Sequence, residues 1–376
     1  MKRILYTAFS GDQTIAPQLQ RWRDESPQCG VFALVAEQSA EEVPGLQALF
    51  RELGIPLLGA IFPEIHLAGR FYRRGALLVS MDPRWEFQSM VEFEADDEKL
   101  ASQIESLAST LRGHLSEREP ATLFTIFDAL VPKIGSILET LYLQLAESVH
   151  YTGASAGSET FQPMPCLFDA ERLIGNGLLV MLLKPHEGAM LDHSYQVPEE
   201  IIAATSTEGN RINSIDWRPA FEVYRERVRQ LYGVEIDRHN FYDYSVHFPF
   251  GILRADDEVV VRIPVSLEED GSIFCVGEVP EHAVLTLLEA PRPTDLHSAG
   301  RLARGMRERG GRVLNFYCAA RKHHFGEAAA VSELQELHSA LGHEELFGAS
   351  SLGEIGSSQR GGYPLFHHAT LVCMHI

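Results

Sequence analysis

Residues 134–157 read IGSILETLYLQLAESVHYTGASAG, and the fold of the chain turns on how that stretch is understood. Ile134, Leu138, Leu141, Leu145 and Val149 recur at the spacing of one helical face. The pattern then breaks into Gly153-Ala154-Ser155-Ala156-Gly157, small residues that predict a turn, and after a polar loop Gly177-Leu178-Leu179-Val180-Met181 predicts a strand. The same order occurs earlier: Leu46, Leu49, Phe50 and Leu53 mark a helical face, Gly54-Ile55-Pro56 ends it, and Gly59-Ala60 precedes the strand Gly75-Ala76-Leu77-Leu78-Val79. It occurs again near the end. Val331, Leu334, Leu337 and Leu341 form the face, with Glu333 and Glu336 expected to point away, and Gly342, Gly348-Ala349-Ser350 and Thr370-Leu371-Val372-Cys373-Met374 follow. Glycine at such turns admits positive φ or the close approach of a backbone or ligand, which makes Gly153, Ser155, Gly348 and Ser350 candidates for lining a pocket. The plainer reading makes them connectors in duplicated units.

Between the second and third copies the texture changes. Val259-Val260-Val261-Arg262-Ile263-Pro264-Val265 and Ser272-Ile273-Phe274-Cys275-Val276 flank the turn Glu268-Glu269-Asp270-Gly271, a hairpin signal, and Val284-Leu285-Thr286-Leu287-Leu288 predicts a further strand. A helix from Pro219 to Tyr232 precedes this block, and its end at Gly233 is the expected boundary between domains 1–232 and 233–376. Another helix is expected from about Leu296 to Arg309. Alternating helices and strands together with hairpins predict a mixed α+β fold: two related layered domains, mixed sheets covered by helices, built from the repeated helix, Gly-Ala turn and strand.

The formal charge of −20 arises from 52 acidic and 32 basic residues, with the basic ones scattered. That balance argues against binding to nucleic acid or anionic lipid and for a well-solvated surface. Cys29, Cys166, Cys275, Cys318 and Cys373 are odd in number and mostly lie in apolar stretches, the usage expected of reduced cysteine in the cytoplasm. Apolar runs such as Leu178-Leu179-Val180-Met181-Leu182-Leu183 are far shorter than the ~20 residues of a membrane helix.

One ordered series of motifs resembles the FIST family. Gly209-Asn210-Arg211-Ile212-Asn213-Ser214-Ile215-Asp216-Trp217-Arg218-Pro219-Ala220, with Tyr224 after it, is similar to the end of the FIST N-terminal part. His247-Phe248-Pro249-Phe250-Gly251, Val261-Arg262-Ile263-Pro264, Asp270-Gly271-Ser272 and Gly277-Glu278-Val279-Pro280 resemble the opening of the FIST C-terminal part. Phe316-Tyr317-Cys318-Ala319-Ala320-Arg321 and the run from Phe347 to Gly356 resemble its closing motifs. The resemblance implies a sensory protein, not an enzyme, that binds a small ligand and acts on a signalling partner. One branch of the family consists of b-type haem proteins that sense nitric oxide and regulate histidine kinases or cyclic-di-GMP enzymes. A chain with both parts and no attached kinase is similar to that branch in layout. A homo-oligomer is compatible with the layout, and a sensor of an amino acid or other metabolite without haem is the alternative.

Haem iron needs an imidazole or thiolate and an apolar slot around the macrocycle. His193, in Leu191-Asp192-His193-Ser194-Tyr195, is the first candidate iron ligand, with Asp192 and Tyr195 placed to orient its ring. His247, beside Phe248, Pro249 and Phe250, is the second. His367, Cys373 and His375 fall on one face of the last strand, without a compact metal-ligand pattern ahead of them. Gly153-Ala154-Ser155-Ala156-Gly157 also fits the Gly-x-Ser-x-Gly elbow of serine hydrolases. An elbow serine is followed directly by a helix, however, and Pro163 and Pro165 argue against one there.

Overall fold

The computed structural model describes residues 3–9, 15–81, 85–116, 119–254, 258–292, 297–307, 311–342, 345–357 and 362–376. The ends expected for the helix at Leu296 and Arg309 lie outside these.

The chain lays down one series of elements three times. Unit one runs β1 (Ile4–Thr7), α1 (Ile15–Glu25), β2 (Gly30–Ala36), α2 (Val43–Leu53), β3 (Leu57–Phe62), the hairpin β4 (Ile65–Leu67) and β5 (Arg70–Tyr72), and β6 (Ala76–Met81). Unit two repeats it as β7 (Phe87–Glu92), α3 (Asp97–Arg112), β8 (Thr122–Asp128), α4 (Ile134–Leu145), β9 (His150–Ala156), the hairpin β10 (Leu167–Asp169) and β11 (Leu173–Ile174), and β12 (Gly177–Leu183). Unit three opens with β13 (Ala189–Asp192) and is then interrupted. The interruption holds β14 (Ile202–Glu208), β15 (Arg211–Ile215), β16 (Arg218–Pro219), α5 (Ala220–Tyr232), α6 (Phe241–Ser245), β17 (Phe250–Leu253), β18 (Val259–Arg262), β19 (Pro264–Leu267), β20 (Ile273–Cys275) and β21 (Val284–Leu287). Unit three resumes with α7 (Ser298–Arg307), β22 (Arg312–Cys318), α8 (Ala319–Phe325), α9 (Glu327–Leu341), β23 (Glu345–Ser351), the hairpin β24 (Glu354–Gly356) and β25 (Leu365–His367), and β26 (Leu371–His375).

In each unit the helical crossover makes the two inner strands parallel: β2 with β3, β8 with β9, β22 with β23. The returning strand lies antiparallel on the first of them, and the opening strand closes that edge, as in the order β1-β6-β2-β3. The hairpin does not stay with its own unit. β4 and β5 pair onto β23, β24 and β25 onto β9, and β10 and β11 onto β3, so the units exchange hairpins in a ring. Inner strands therefore bury both faces and read as continuous apolar runs rather than alternating ones. Phe32, Phe124 and Phe316, one from each unit, meet in the shared core with ring centroids 5.5 and 6.1 Å apart. Helices cover the outer faces, for instance Leu138 and Leu141 of α4 and Leu334 and Leu337 of α9.

This mixed α+β architecture is the one the repeats imply, and the strands expected at Gly75, Gly177 and Thr370 are β6, β12 and β26. The Gly-Ala segments are different. Gly59-Ala60, Gly153-Ala154-Ser155 and Gly348-Ala349-Ser350 are not turns but the middles of β3, β9 and β23. Their glycines are the seats of the exchanged hairpins: Phe168 lies opposite Gly59, Ile355 opposite Gly153 and His66 opposite Gly348. The residues are small because partner strands press on both sides. Glu333 also departs from expectation. It shares the stripe of Ala330, Leu334 and Leu337 on α9 and is buried rather than turned away.

The interruption forms its own sheet, in which β14 and β15 from before Gly233 pair with β21 and β20 from after it. Gly233 does end α5 with a left-handed φ of 69°, and the helix packs Phe221, Tyr224 and Val228 against that sheet. The chain on both sides of Gly233 thus shares one core.

A Cβ at Gly153 would lie 1.8 Å from Thr125 O, and one at Gly348 would lie 1.7 Å from Asn315 O. Gly153→Ala and Gly348→Ala are each expected to destabilise the protein by about 3 kcal/mol. Gly45→Ala, inside α2 with no atom within 4 Å of the new Cβ, is expected to stabilise it by about 0.5 kcal/mol. Denaturation midpoints check both signs.

Candidate functional site

The inserted sheet lies over the carboxyl ends of the parallel pairs of units two and three, the end at which open α/β sheets usually hold ligands. Between insert and body runs a cleft of two adjoining lobes, which share Phe161, Tyr242, Val265 and Val276. Leu130 and Val131 come from the segment joining β8 to α4 and Ile134 from the first position of α4, while Cys318, Ala319 and Leu352 lie at or just past the ends of β22 and β23. Large apolar side chains are left in water around it: Leu130, Phe161, Phe274 and Tyr242 are 39, 40, 40 and 64% exposed. Their convergence on a concave site is what a ligand with an apolar body would cover.

Apolar side chains outnumber polar ones in this wall, although Glu159, Ser245, His323, Lys133, Thr160 and Asn210 also line it. His368 lines it, and its Nδ1 lies 3.3 Å from Val261 O. An imidazole there donates from Nδ1 and leaves a lone pair on Nε2, which has no protein partner. Burial, reinforced by Arg262, pushes the His368 pKa well below its ordinary value, so the ring is neutral at pH 7. Cys318 Sγ accepts the Ala369 N–H at 3.1 Å, and burial pushes this thiol up, away from the reactive thiolate. Beneath the cleft floor Glu354 accepts from Ser351 Oγ and Thr370 Oγ1 at 2.5 and 2.9 Å, and burial raises its pKa to about 7.

The pocket and iron-ligand candidates Gly153, Ser155, Gly348, Ser350, His193, Tyr195 and His247 are not brought together at one site, and none is among the residues lining the cleft. Gly153 and Ser155 sit in β9, Gly348 and Ser350 in β23, all buried. His193 and Tyr195 lie at the root of the insert, where the Tyr195 N–H donates to His193 Nδ1 at 3.0 Å. Asp192 does not orient that ring; it accepts from Arg301 and from Ser298 Oγ, the latter at 2.7 Å. His247 makes a short Nδ1-to-Nδ1 hydrogen bond with His324 rather than packing as part of a haem slot.

Haem iron beside His193 would need an apolar wall. The ring instead neighbours Asp192 and Arg301, and the Arg321 guanidinium donates to its own carbonyl at 2.7 Å. The residues at His193 do not fit the macrocycle. Among the described residues no group of three or more His, Cys, Asp and Glu side chains could hold a metal ion. Ser155 lies inside a strand with its Oγ buried and without a hydrogen-bond partner, so no base is there to activate it as an elbow nucleophile.

Sequence reasoning missed the buried Arg321. It donates to Glu333 through Nε and Nη2 at 2.8 and 2.6 Å, and Tyr317 donates to the same carboxylate at 2.8 Å. The helical stripe of α9 carried the signal, since Glu333 lies three residues after Ala330 and four before Leu337.

A FIST N domain model matches residues 29–218 and a FIST C domain model matches residues 220–357. The chain belongs to the FIST family. It is accordingly a signal-transduction protein of the sensory kind. No curated protein matches the chain. The two FIST models meet at Pro219, inside the inserted sheet, so each supplies part of one layer of the cleft. No helix among the described residues is long and apolar enough to cross a membrane.

Burial lowers the pKa of His66 to about 4 and that of His367 to about 3. Unfolded imidazoles protonate near pH 6.5, so below that pH the unfolded state binds protons that the folded state refuses, and stability falls. Glu354 acts oppositely, because its raised pKa lets the folded state keep a proton that the unfolded state loses above about pH 4.5. The histidines outweigh it between pH 6.5 and 5, each contributing about 2 kcal/mol of loss. The His367 ring is buried, and its backbone contact with Gly356 offsets only part of that burial. His367→Leu is therefore expected to shrink the drop in thermal midpoint between pH 7 and pH 5.

Proposed function

We propose that this FIST protein senses a small, largely apolar molecule held in the cleft between the insert and units two and three, and passes occupancy to a signalling partner without chemical turnover. The reading is carried by one observation: four exposed apolar side chains, Leu130, Phe161, Tyr242 and Phe274, converge on a cleft between insert and body, with the neutral, buried His368 ring set into its inner wall. A metabolite without haem suits that wall better than a macrocycle ligated by His193. Five buried cysteine thiols suit a reducing cytoplasm. A histidine kinase or a cyclic-di-GMP enzyme is the partner class the family resemblance implies.

A thermal-shift screen of metabolites tests this. A ligand at a hundred times its Kd is expected to stabilise the folded state by about 2.7 kcal/mol. Val276→Trp, which fills the lobe junction, is expected to abolish that shift, and a compound whose shift survives the substitution binds elsewhere and sinks the reading. Expression with haem supplied tests the choice against haem: a Soret band lost with His193→Ala would place iron at the root of the insert and overturn it. A fluorophosphonate probe is expected to leave Ser155 unlabelled.

A further inference from the structure

We infer that Glu278 couples the cleft to the body of the protein by capping helix α4 across the joint between insert and unit two, and that a ligand acts by displacing this cap; the second half rests on the cleft being the ligand site. α4 begins after Lys133, whose φ is 59°, and no side chain of its own segment caps it. Its first N–H groups have no intrahelical partners and carry the positive end of the helix dipole. The Glu278 carboxylate, from the insert, fills that role. Oε2 accepts the Ser136 N–H at 3.0 Å and Oε1 accepts Ser136 Oγ–H at 2.6 Å. Gly135 leaves room for the carboxylate, because a Cβ there would stand 2.9 Å from Oε2.

The same short segment faces the cleft. Val276 and Gly277 line it, as does Ile134 at the first position of α4. Val276 N–H donates to Ile263 O at 2.9 Å and Val279 N–H to Gly209 O at 3.0 Å, which pins the segment at both ends. Gly277, with φ of 82°, turns the chain between them, so the cleft-facing residues and the capping carboxylate are one peptide unit apart. Arg262 ties this turn to unit three, donating to Glu278 O at 2.8 Å and to Phe366 O at 2.7 Å. A molecule wedged between Ile134 and Val276 moves the cap away from Ser136. α4 also touches unit three through Tyr142 and Tyr363, ring centroids 4.9 Å apart, so loosening its first turn reaches beyond unit two.

Amide exchange at Ser136 reads the cap directly. Glu278→Ala is expected to raise it at least tenfold. Gly135→Ala, which expels the carboxylate while favouring the helix, is expected to do the same in a protein that folds normally. Val276→Trp should mimic the ligand, and in combination with Glu278→Ala it should add nothing further, because both act through one contact. Additive effects, or unchanged exchange in Glu278→Ala and Gly135→Ala, overturn the inference. A compound that binds the cleft and leaves Ser136 exchange unmoved also overturns it while leaving the sensor reading intact. Non-additive exchange together with no compound sensitive to Val276→Trp supports the cap and removes the sensor reading instead.

Discussion

The second parallel strand of every unit presents an edge of unpaired N–H and C=O groups, and in every unit that edge is closed by a hairpin from another unit. Buried backbone groups must be paired, so no unit completes its own sheet. Around the ring, His66 of unit one covers Gly348, Phe168 of unit two covers Gly59 and Ile355 of unit three covers Gly153. The aromatic contacts among Phe32, Phe124 and Phe316 exist only once all three sheets are in place. Unit one is completed only by unit two, unit two by unit three and unit three by unit one.

A ring of like units has like junctions at its strand ends, and the protein uses them unequally. Between units three and one, Glu64 is clamped by Lys322 at 2.6 Å and Arg73 at 3.0 Å. Between units one and two, Ser158 donates to Glu37 at 2.6 Å. At the junction of units two and three the corresponding space is lined by Leu130, Ile134, Leu352 and Phe366 and roofed by the insert, and a cleft results. The insert leaves the chain beside Asp192 and returns to it at Ser298, whose Oγ donates to Asp192, and the buried Arg321 holds the backbone at this root. One end of the insert is thus anchored by charged groups, while Glu278 meets α4 elsewhere along the joint.

Much of the fold was legible. Helical stripes in α2, α4 and α9, the apolar strands β6, β12 and β26, and the hairpin of β19 and β20 followed from periodicity and turn chemistry. The Gly-Ala segments misled because small residues signal both a turn and a tightly pressed strand, and only the neighbours tell them apart. Glu333 misled because a carboxylate on a helix ordinarily faces water, and its buried partner Arg321 lies on another helix. The candidate site was the least legible part. Its wall is assembled from residues near positions 130, 161, 242, 276, 318 and 368, and no local motif joins them.

By itself the sequence determined the periodic helices and the apolar strands that follow them, the threefold recurrence and the family, because side-chain periodicity and turn propensity act over a few residues. Tertiary structure alone decided which unit each hairpin completes, which histidine reaches the cleft and which carboxylate caps α4. Those outcomes depend on edges, cavities and orphaned donors that exist only after distant segments have met.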